Sequence, residues 1–213
     1  MPRVRYILNG RYLMSDTRKH ILQVAGSLFL QSNYDGVSIQ DITRAAGITK
    51  GALYHHFTSK EQLFEEVAHN LVGTSQTDLS TLPSDSLRGF YTNLVENRRS
   101  RGVGAQEDKL SSAHAFEINV YNLLWDAVRL LPGFRASMES LNTLEHATWA
   151  NAIQAAIDRG EIRRGLDPDK IATLFTSVPD GVGITSMLKG SSPSAKYEEI
   201  QDLWDTLYQS LKA

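Results

Sequence analysis

Apolar residues recur along most of the chain at three- and four-residue spacing, the period of an amphipathic helix. Ile21, Val24, Ala25, Leu28 and Phe29 line one face of a first helix predicted over 16–32. Asn33 suits the left-handed backbone that ends a helix. Ser38 is placed to cap a short second helix, with Asp41 three residues on as its capping-box partner. Ile39, Ile42, Ala45 and Ala46 supply the buried face of that helix, and Gly47 ends it. Thr49 caps a third short helix reaching Phe57. Ser59 caps a fourth, with Gln62 at the capping-box position.

Long amphipathic helices follow, cut at Pro83, at Gly102-Val103-Gly104, at Pro132-Gly133 and at Gly160 and Gly165. Asp167-Pro168 and Ser192-Pro193 each place a capping side chain before a proline at the first helical position. The expected fold is all-α, with roughly nine helices. No Asn-Gly or Asp-Gly pair sits between alternating runs, and Asp35-Gly36 follows a helical pattern instead. The expected division is an arm at 1–13, a three-helix head at 14–60 and a larger helical bundle over 61–213, with the fourth helix joining head and body in place of a linker.

Composition narrows the function classes. The chain has 213 residues, 41% apolar, and no cysteine, so a disulfide framework, a thiolate zinc site and a cysteine nucleophile are excluded. No unbroken run of about 18 apolar residues occurs, and the basic stretch from Met1 to Met14 does not read as a secretory signal. An intracellular, cytoplasmic protein is expected. The net charge of -2 hides an asymmetry: residues 1–60 hold eight Lys/Arg against three Asp/Glu, and residues 61–213 hold fourteen against twenty-one. A basic head on an acidic body suggests a polyanion partner for the head.

Residues 38–57 describe two short helices joined by a tight turn containing Gly47, with small Ala45 and Ala46 at the crossing and Ile48 and Leu53 between the helices. This is a helix-turn-helix pattern; a plain helical hairpin with a polar face is the alternative. The second helix carries Thr49, Lys50, Gly51, Tyr54 and His55 on its expected free face. Glycine inside a helix costs about 1 kcal/mol relative to alanine, which makes sense at Gly51 if a nucleic acid must come close.

Residues 17–64 resemble the DNA-binding head of the TetR family of transcriptional repressors. The resemblance rests on Ile21-Leu22, Ala25 and Leu28-Phe29; on Tyr34-Asp35-Gly36-Val37-Ser38-Ile39; on Asp41-Ile42; on Ala45-Ala46-Gly47-Ile48; on the run from Lys50 to Phe57; and on Ser59-Lys60-Glu61 with Leu63. Asn33 replaces the glycine usual before the aromatic, and Thr43 the alanine usual after Asp-Ile. The resemblance implies that the third helix enters the major groove. Lys50 would donate to a guanine edge or to phosphate, Gly51 would permit close approach, and Tyr54 would meet a base methyl or phosphate. Gln40 would read a base edge. Ser38, Thr49, His55 and Lys60 would contact phosphates, Ser38 and Lys60 from helix N-termini. Phe57, Ile42 and Leu53 are core, and His56 is ambiguous between core and contact.

Arg3, Arg5 and Arg11 precede the first helix. A basic arm of this kind can lie in the minor groove; the alternatives are a disordered tail or an upstream extension with Met14 as the start. Members of the resembled family bind a small molecule in the body and form homodimers through their last two long helices. Here those would be 167–189 and 194–212, whose apolar positions (Ile171, Leu174, Phe175, Val178, Val182, Leu188; Ile200, Leu203, Trp204, Leu207, Leu211) fit either a dimer bundle or an internal core. Pro179 with Gly181 and Gly183 should bend or interrupt the first of them. Pocket candidates for a small organic effector are Phe90, Phe116, Tyr121, Trp125, Met138 and Trp149, with Tyr91 beside them and His114, Glu117, Asn119, Asn122 and His146 as polar contacts; ordinary core is the alternative for each.

No cofactor and no metal are expected. A di-metal carboxylate bundle needs two Glu-x-x-His pairs, and only Glu66-x-x-His69 is present. There is no phosphate-binding glycine loop and no Gly-x-Ser-x-Gly elbow, so no enzyme class is indicated. The expectation is therefore a dimeric, ligand-responsive regulator on a palindromic duplex site, with a non-specific DNA binder controlled by abundance or a protein partner as the rival.

Overall fold

A computed structural model describes the backbone of residues 10–75, 79–82, 85–101 and 110–213; within these, the side chains of 10–16, 73–75, 80, 101, 110–119 and 193 lie outside the description. Residues 1–9 of the expected arm, Pro83 and Gly102-Val103-Gly104 fall outside it as well, whereas residues 10–13, also assigned to the arm, belong to a helix. The described residues form nine α-helices and one 3-10 turn, joined by no strand beyond a single bridge between Ile162 and Lys212. They are α1 (Gly10–Ser32), α2 (Ile39–Ala46), α3 (Lys50–His56), α4 (Lys60–Ser75), the 3-10 turn (Leu79–Thr81), α5 (Leu87–Arg101), α6 (Leu110–Leu130), α7 (Pro132–Asp158), α8 (Pro168–Lys189) and α9 (Pro193–Leu211). The all-α expectation holds.

The described residues form two compact units, one of those up to Leu71 together with 119–132, the other of those within 72–118 and 133–213. In the first unit, Ile21, Ala25 and Phe29 of α1 are buried with Ile42, Leu53, Phe57, Leu63 and Phe64. Leu123, Ala127 and Leu131, from the end of α6 and just beyond it, are buried too. Helix α1 starts at Gly10 instead of the expected residue 16, since no proline or glycine separates Arg11 from Asp16. It ends as expected: Asn33 takes φ 55°, and its side-chain oxygen accepts from the Gly36 N–H at 3.0 Å. Gly36 has no room for a side chain, because a Cβ there would stand 2.2 Å from the Ser32 carbonyl oxygen.

In the second unit one aromatic-rich core joins α5, α7, α8 and α9. Trp149 stacks on Phe175 with ring centroids 4.9 Å apart and meets Trp204 edge-on at 5.1 Å. Phe90, Tyr91 and Tyr208 complete the cluster. Asp167 caps α8 by accepting from the backbone of Asp169 and Lys170, and Ser192 caps α9 through Ala195. Pro179 does not interrupt α8: the helix runs on to Lys189, because the carbonyl freed by the proline finds another donor. Helix α8 is long and apolar enough to cross a membrane by length and composition alone, although no unbroken apolar run signalled it. Ile171, Ala172, Phe175 and Val182 lie instead in this core, while Leu174, Ile184 and Leu188 are exposed.

Candidate nucleic-acid interface

The turn between α2 and α3 is built by local chemistry. Ser38 and Asp41 form a reciprocal capping box: the Asp41 N–H donates to Ser38 Oγ at 3.2 Å, and the Ser38 N–H donates to Asp41 Oδ2 at 3.0 Å. The Ser38 hydroxyl also donates to that carboxylate at 2.6 Å, and these bonds hold the Asp41 carboxyl below its ordinary value. Gly47, left-handed at φ 66°, closes α2 and sends its N–H back to Arg44 and Thr43. Thr49 then caps α3, accepting from the Ala52 N–H at 3.1 Å, with its hydroxyl proton still able to donate.

Burial divides the motif into a core side and a free side. Leu53, Ile42 and Phe57 are fully buried. Ala46 is buried at the crossing, whereas Ala45 is exposed and Ile39 and Ile48 only half-buried, so the packed face of α2 is narrower than its sequence suggests. Thr43, in place of the usual alanine, is buried with its hydroxyl donating to the Gln40 carbonyl at 3.1 Å, so the substitution leaves no orphaned polar group.

The remaining candidates face outward: Ser38, Gln40, Thr49, Lys50, Gly51, Tyr54 and His55 are all exposed, Tyr54 to 49%. His56 is half-buried against Phe57, and its ring also meets His55. A Cβ added at Gly51 would meet only Thr49 Oγ1, at 3.9 Å, which is ordinary contact. Nothing among the described residues requires glycine there. The Ser38 hydroxyl differs from its expected role, because its proton already serves Asp41.

The N-terminus of α4 carries Lys60. Ser59 caps it through the Gln62 N–H at 3.1 Å, but the Gln62 side chain accepts from Thr58 rather than from the Ser59 backbone, so the expected capping box is only half formed. The Lys60 ammonium stands 3.9 Å from the centre of the Tyr34 ring. Tyr34 was legible in the sequence as part of a motif, but its contact with Lys60 joins positions 26 residues apart and no local pattern announces it. Arg18 pairs with Glu66 and lies 5.0 Å from the Phe57 ring, so the one Glu-x-x-His pair of the chain has its glutamate in a structural ion pair. Among the described residues no cluster of three His, Asp or Glu could hold a metal.

The effector candidates divide between the units. Phe90 and Trp149 are buried in the second unit with rings edge-to-face at 5.0 Å, and Met138 is half-buried on α7. Tyr121 and Trp125 belong to the first unit, where Trp125 is 70% exposed. The side chain of Phe116 lies outside the described residues, as do those of His114, Glu117 and Asn119. Asn122 is exposed, and the His146 ring lies 3.1 Å from the Thr173 hydroxyl and from the Asp169 carbonyl. An open groove of about 600 Å³ in the second unit is lined by other residues, including Arg88, Thr92, Arg99 and Asp205. Among the described residues, the buried Trp149 indole N–H has no hydrogen-bond partner, and neither has the Ser186 hydroxyl.

Comparison with known proteins fits this geometry. The family model described as "Bacterial regulatory proteins, tetR family" matches residues 21–67. The HTH-type transcriptional repressor DhaR of Mycobacterium sp. (strain GP1) is 30% identical over 168 residues, covering 73% of this chain and 74% of that protein. The HTH-type transcriptional repressor KstR2 of Mycolicibacterium smegmatis is 28% identical over 165 residues, covering 72% and 71%. Among solved structures, a TetR-family regulator from Cytophaga hutchinsonii superposes with a TM-score of 0.68 at 17% identity, covering 98% of this chain and 99% of its own. A Saccharomonospora viridis protein solved in complex with choline gives 0.68 at 24% identity, covering 93% and 99%.

Proposed function

Because this chain belongs to the TetR family of bacterial regulatory proteins, and is therefore a helix-turn-helix DNA-binding regulator of transcription and not an enzyme, we propose a finer reading: it is a cytoplasmic homodimeric repressor of a palindromic operator, released or recruited by a small organic effector. The head of residues 14–60 reads DNA, and the body of 61–213 binds the effector and dimerises.

The observation that carries the DNA reading is Gly51. It sits in the first turn of α3, where glycine is a poorer helix former than alanine, and none of the described residues crowds it. A groove wall or base edge approaching from outside supplies the reason. Lys50 and Tyr54, one turn apart on the same helix, then read bases, with Gln40 beside them. Thr49, His55 and Lys60 take phosphates; Ser38 contributes through its place at the α2 N-terminus, since its hydroxyl proton is engaged. Two heads related by two-fold symmetry reach successive major grooves roughly 34–36 Å apart.

Dimerisation through α8 and α9 is supported by an exposed apolar stripe. Leu174, Ile184 and Leu188 lie on one face of α8, with small Ser177 and Gly181 between them, and Leu203 is exposed on α9. Leu188 is 76% exposed in the single chain. Such a face, on the one helix among the described residues apolar enough to resemble a membrane span, is what a second copy would cover. Effector binding is supported by Trp149, whose buried N–H finds no acceptor among the described residues and could donate to an oxygen of a ligand inside the aromatic core.

The test is selection from a random duplex library at about 150 mM salt, where weak non-specific binding is screened. An enriched palindrome is the expected result. Retention with no sequence preference and a steep salt dependence would replace the reading with a non-specific binder.

A further inference from the structure

Tyr34 lies in the loop between α1 and α2, and five side chains hold it. Its backbone N–H donates to Asp126 Oδ2, on α6, at 3.2 Å. Its hydroxyl donates to Glu61 at 2.9 Å. Its ring packs against Phe64 at 4.8 Å and Phe29 at 6.0 Å. The Lys60 ammonium stands over the same ring at 3.9 Å. Asp126 is itself fixed: Arg129 donates to its other oxygen at 2.9 Å and reaches Asp35, next to Tyr34, at 3.5 Å. A continuous set of contacts thus runs from the end of α6, through the Tyr34 backbone and ring, to the ammonium of Lys60.

A lysine has several rotatable bonds, and its ordering opposes any phosphate contact unless the side chain is held beforehand. The Tyr34 ring does this through its negative face. Burial, with the bond to Glu61 behind it, pushes the Tyr34 phenol up to about 12, so the ring stays neutral across the physiological range.

We propose that Tyr34 is a positioning residue for the DNA contact of Lys60, and that Asp126 on α6 sets where Tyr34 stands, so that the end of α6 acts on phosphate binding through one aromatic ring. This rests on the reading above that Lys60 faces phosphate.

The experiment uses the full chain and an operator recovered from the duplex library, with affinity measured across salt concentrations. Lys60→Ala is made alone and in the Tyr34→Leu, Tyr34→Phe and Asp126→Ala backgrounds. In the parent chain and in Tyr34→Phe, which keeps the ring, Lys60→Ala should weaken binding about tenfold and flatten the salt dependence. In Tyr34→Leu and Asp126→Ala the same change should cost under about twofold, since the ammonium is no longer held in place. Thermal unfolding confirms that each variant folds; should Tyr34→Leu fail, Asp126→Ala carries the comparison alone. Equal loss in every background overturns the proposal. No loss from Lys60→Ala in the parent chain also overturns it, and leaves operator recognition by Lys50 and Tyr54 standing. If the library yields no retained DNA at all, the DNA reading itself has failed, and the proposal with it.

Discussion

The indole N–H of Trp204 donates to the carbonyl oxygen of Phe175 across 2.9 Å. Phe175 stands four residues before Pro179, and its carbonyl is the one that the proline, having no N–H, leaves open within α8. A side chain of α9 thus supplies the bond that the α8 backbone lacks. Both Phe175 and Trp204 are buried, where an unpaired carbonyl would be costly.

Replacing Trp204 by Phe should therefore destabilise the chain by about 1–3 kcal/mol through the orphaned carbonyl, in addition to lost packing. Pro179→Ala restores the backbone N–H, so the same Trp204→Phe change should cost less in that background. Denaturant unfolding of the four proteins gives the coupling; equal costs in the two backgrounds would show that Pro179 and Trp204 are unrelated.

Gly51→Ala should move two properties in opposite directions. Stability should rise by a fraction of the roughly 1 kcal/mol that separates glycine from alanine inside a helix, since the new methyl group meets only Thr49 Oγ1 at ordinary contact. Operator affinity should fall at least about tenfold, because the methyl occupies the space that DNA needs. Thermal unfolding and a binding titration on one preparation check both, and unchanged affinity would remove Gly51 from the interface.

The pair Lys50→Ala and Tyr54→Ala probes base reading without touching the core, since both side chains are exposed. Each should cost about 1–3 kcal/mol of operator affinity while weak binding to random duplex persists. Far-ultraviolet dichroism should be unchanged.

Leu188→Glu places a charge on the exposed apolar face of α8 and should yield a folded monomer by sedimentation. A dimer of undiminished affinity would move the interface elsewhere on the chain.

Glu161 gives a pH dependence. Burial works to raise its pKa, but bonds from the Leu87 N–H at 3.0 Å, from Arg159 and from the Tyr208 hydroxyl outweigh it and hold the carboxyl below its ordinary 4.5. A carboxyl depressed in the folded chain contributes stability above its unfolded pKa, and that contribution disappears as pH falls through the folded value. The parent chain should therefore lose stability below about pH 4.5, and Glu161→Gln should be less stable at pH 7 with a shallower acid limb.

The sequence alone determined the elements whose causes are local. The capping pair Ser38 and Asp41, the left-handed Asn33, the caps Thr49, Asp167 and Ser192 and the apolar period of α1 are each written within a few residues, and each stands in the structure where the pattern puts it. The head motif was legible for the same reason: its buried and exposed positions alternate within two short helices. Tertiary structure decided whatever depends on a partner far along the chain. Pro179 reads locally as a break, yet α8 continues because Trp204, 25 residues on, reaches the open carbonyl. Phe90 and Trp149 read as pocket lining or core from the sequence, and only the fold shows them buried together beside Phe175 and Trp204. Trp125 reads as apolar lining and stands in solvent, and Tyr34 reads as a loop aromatic until Asp126 and Lys60 are brought to it. Helix caps are satisfied by near neighbours; the fate of an open carbonyl, an aromatic face or a carboxylate is set by which distant segment the folded chain brings against it.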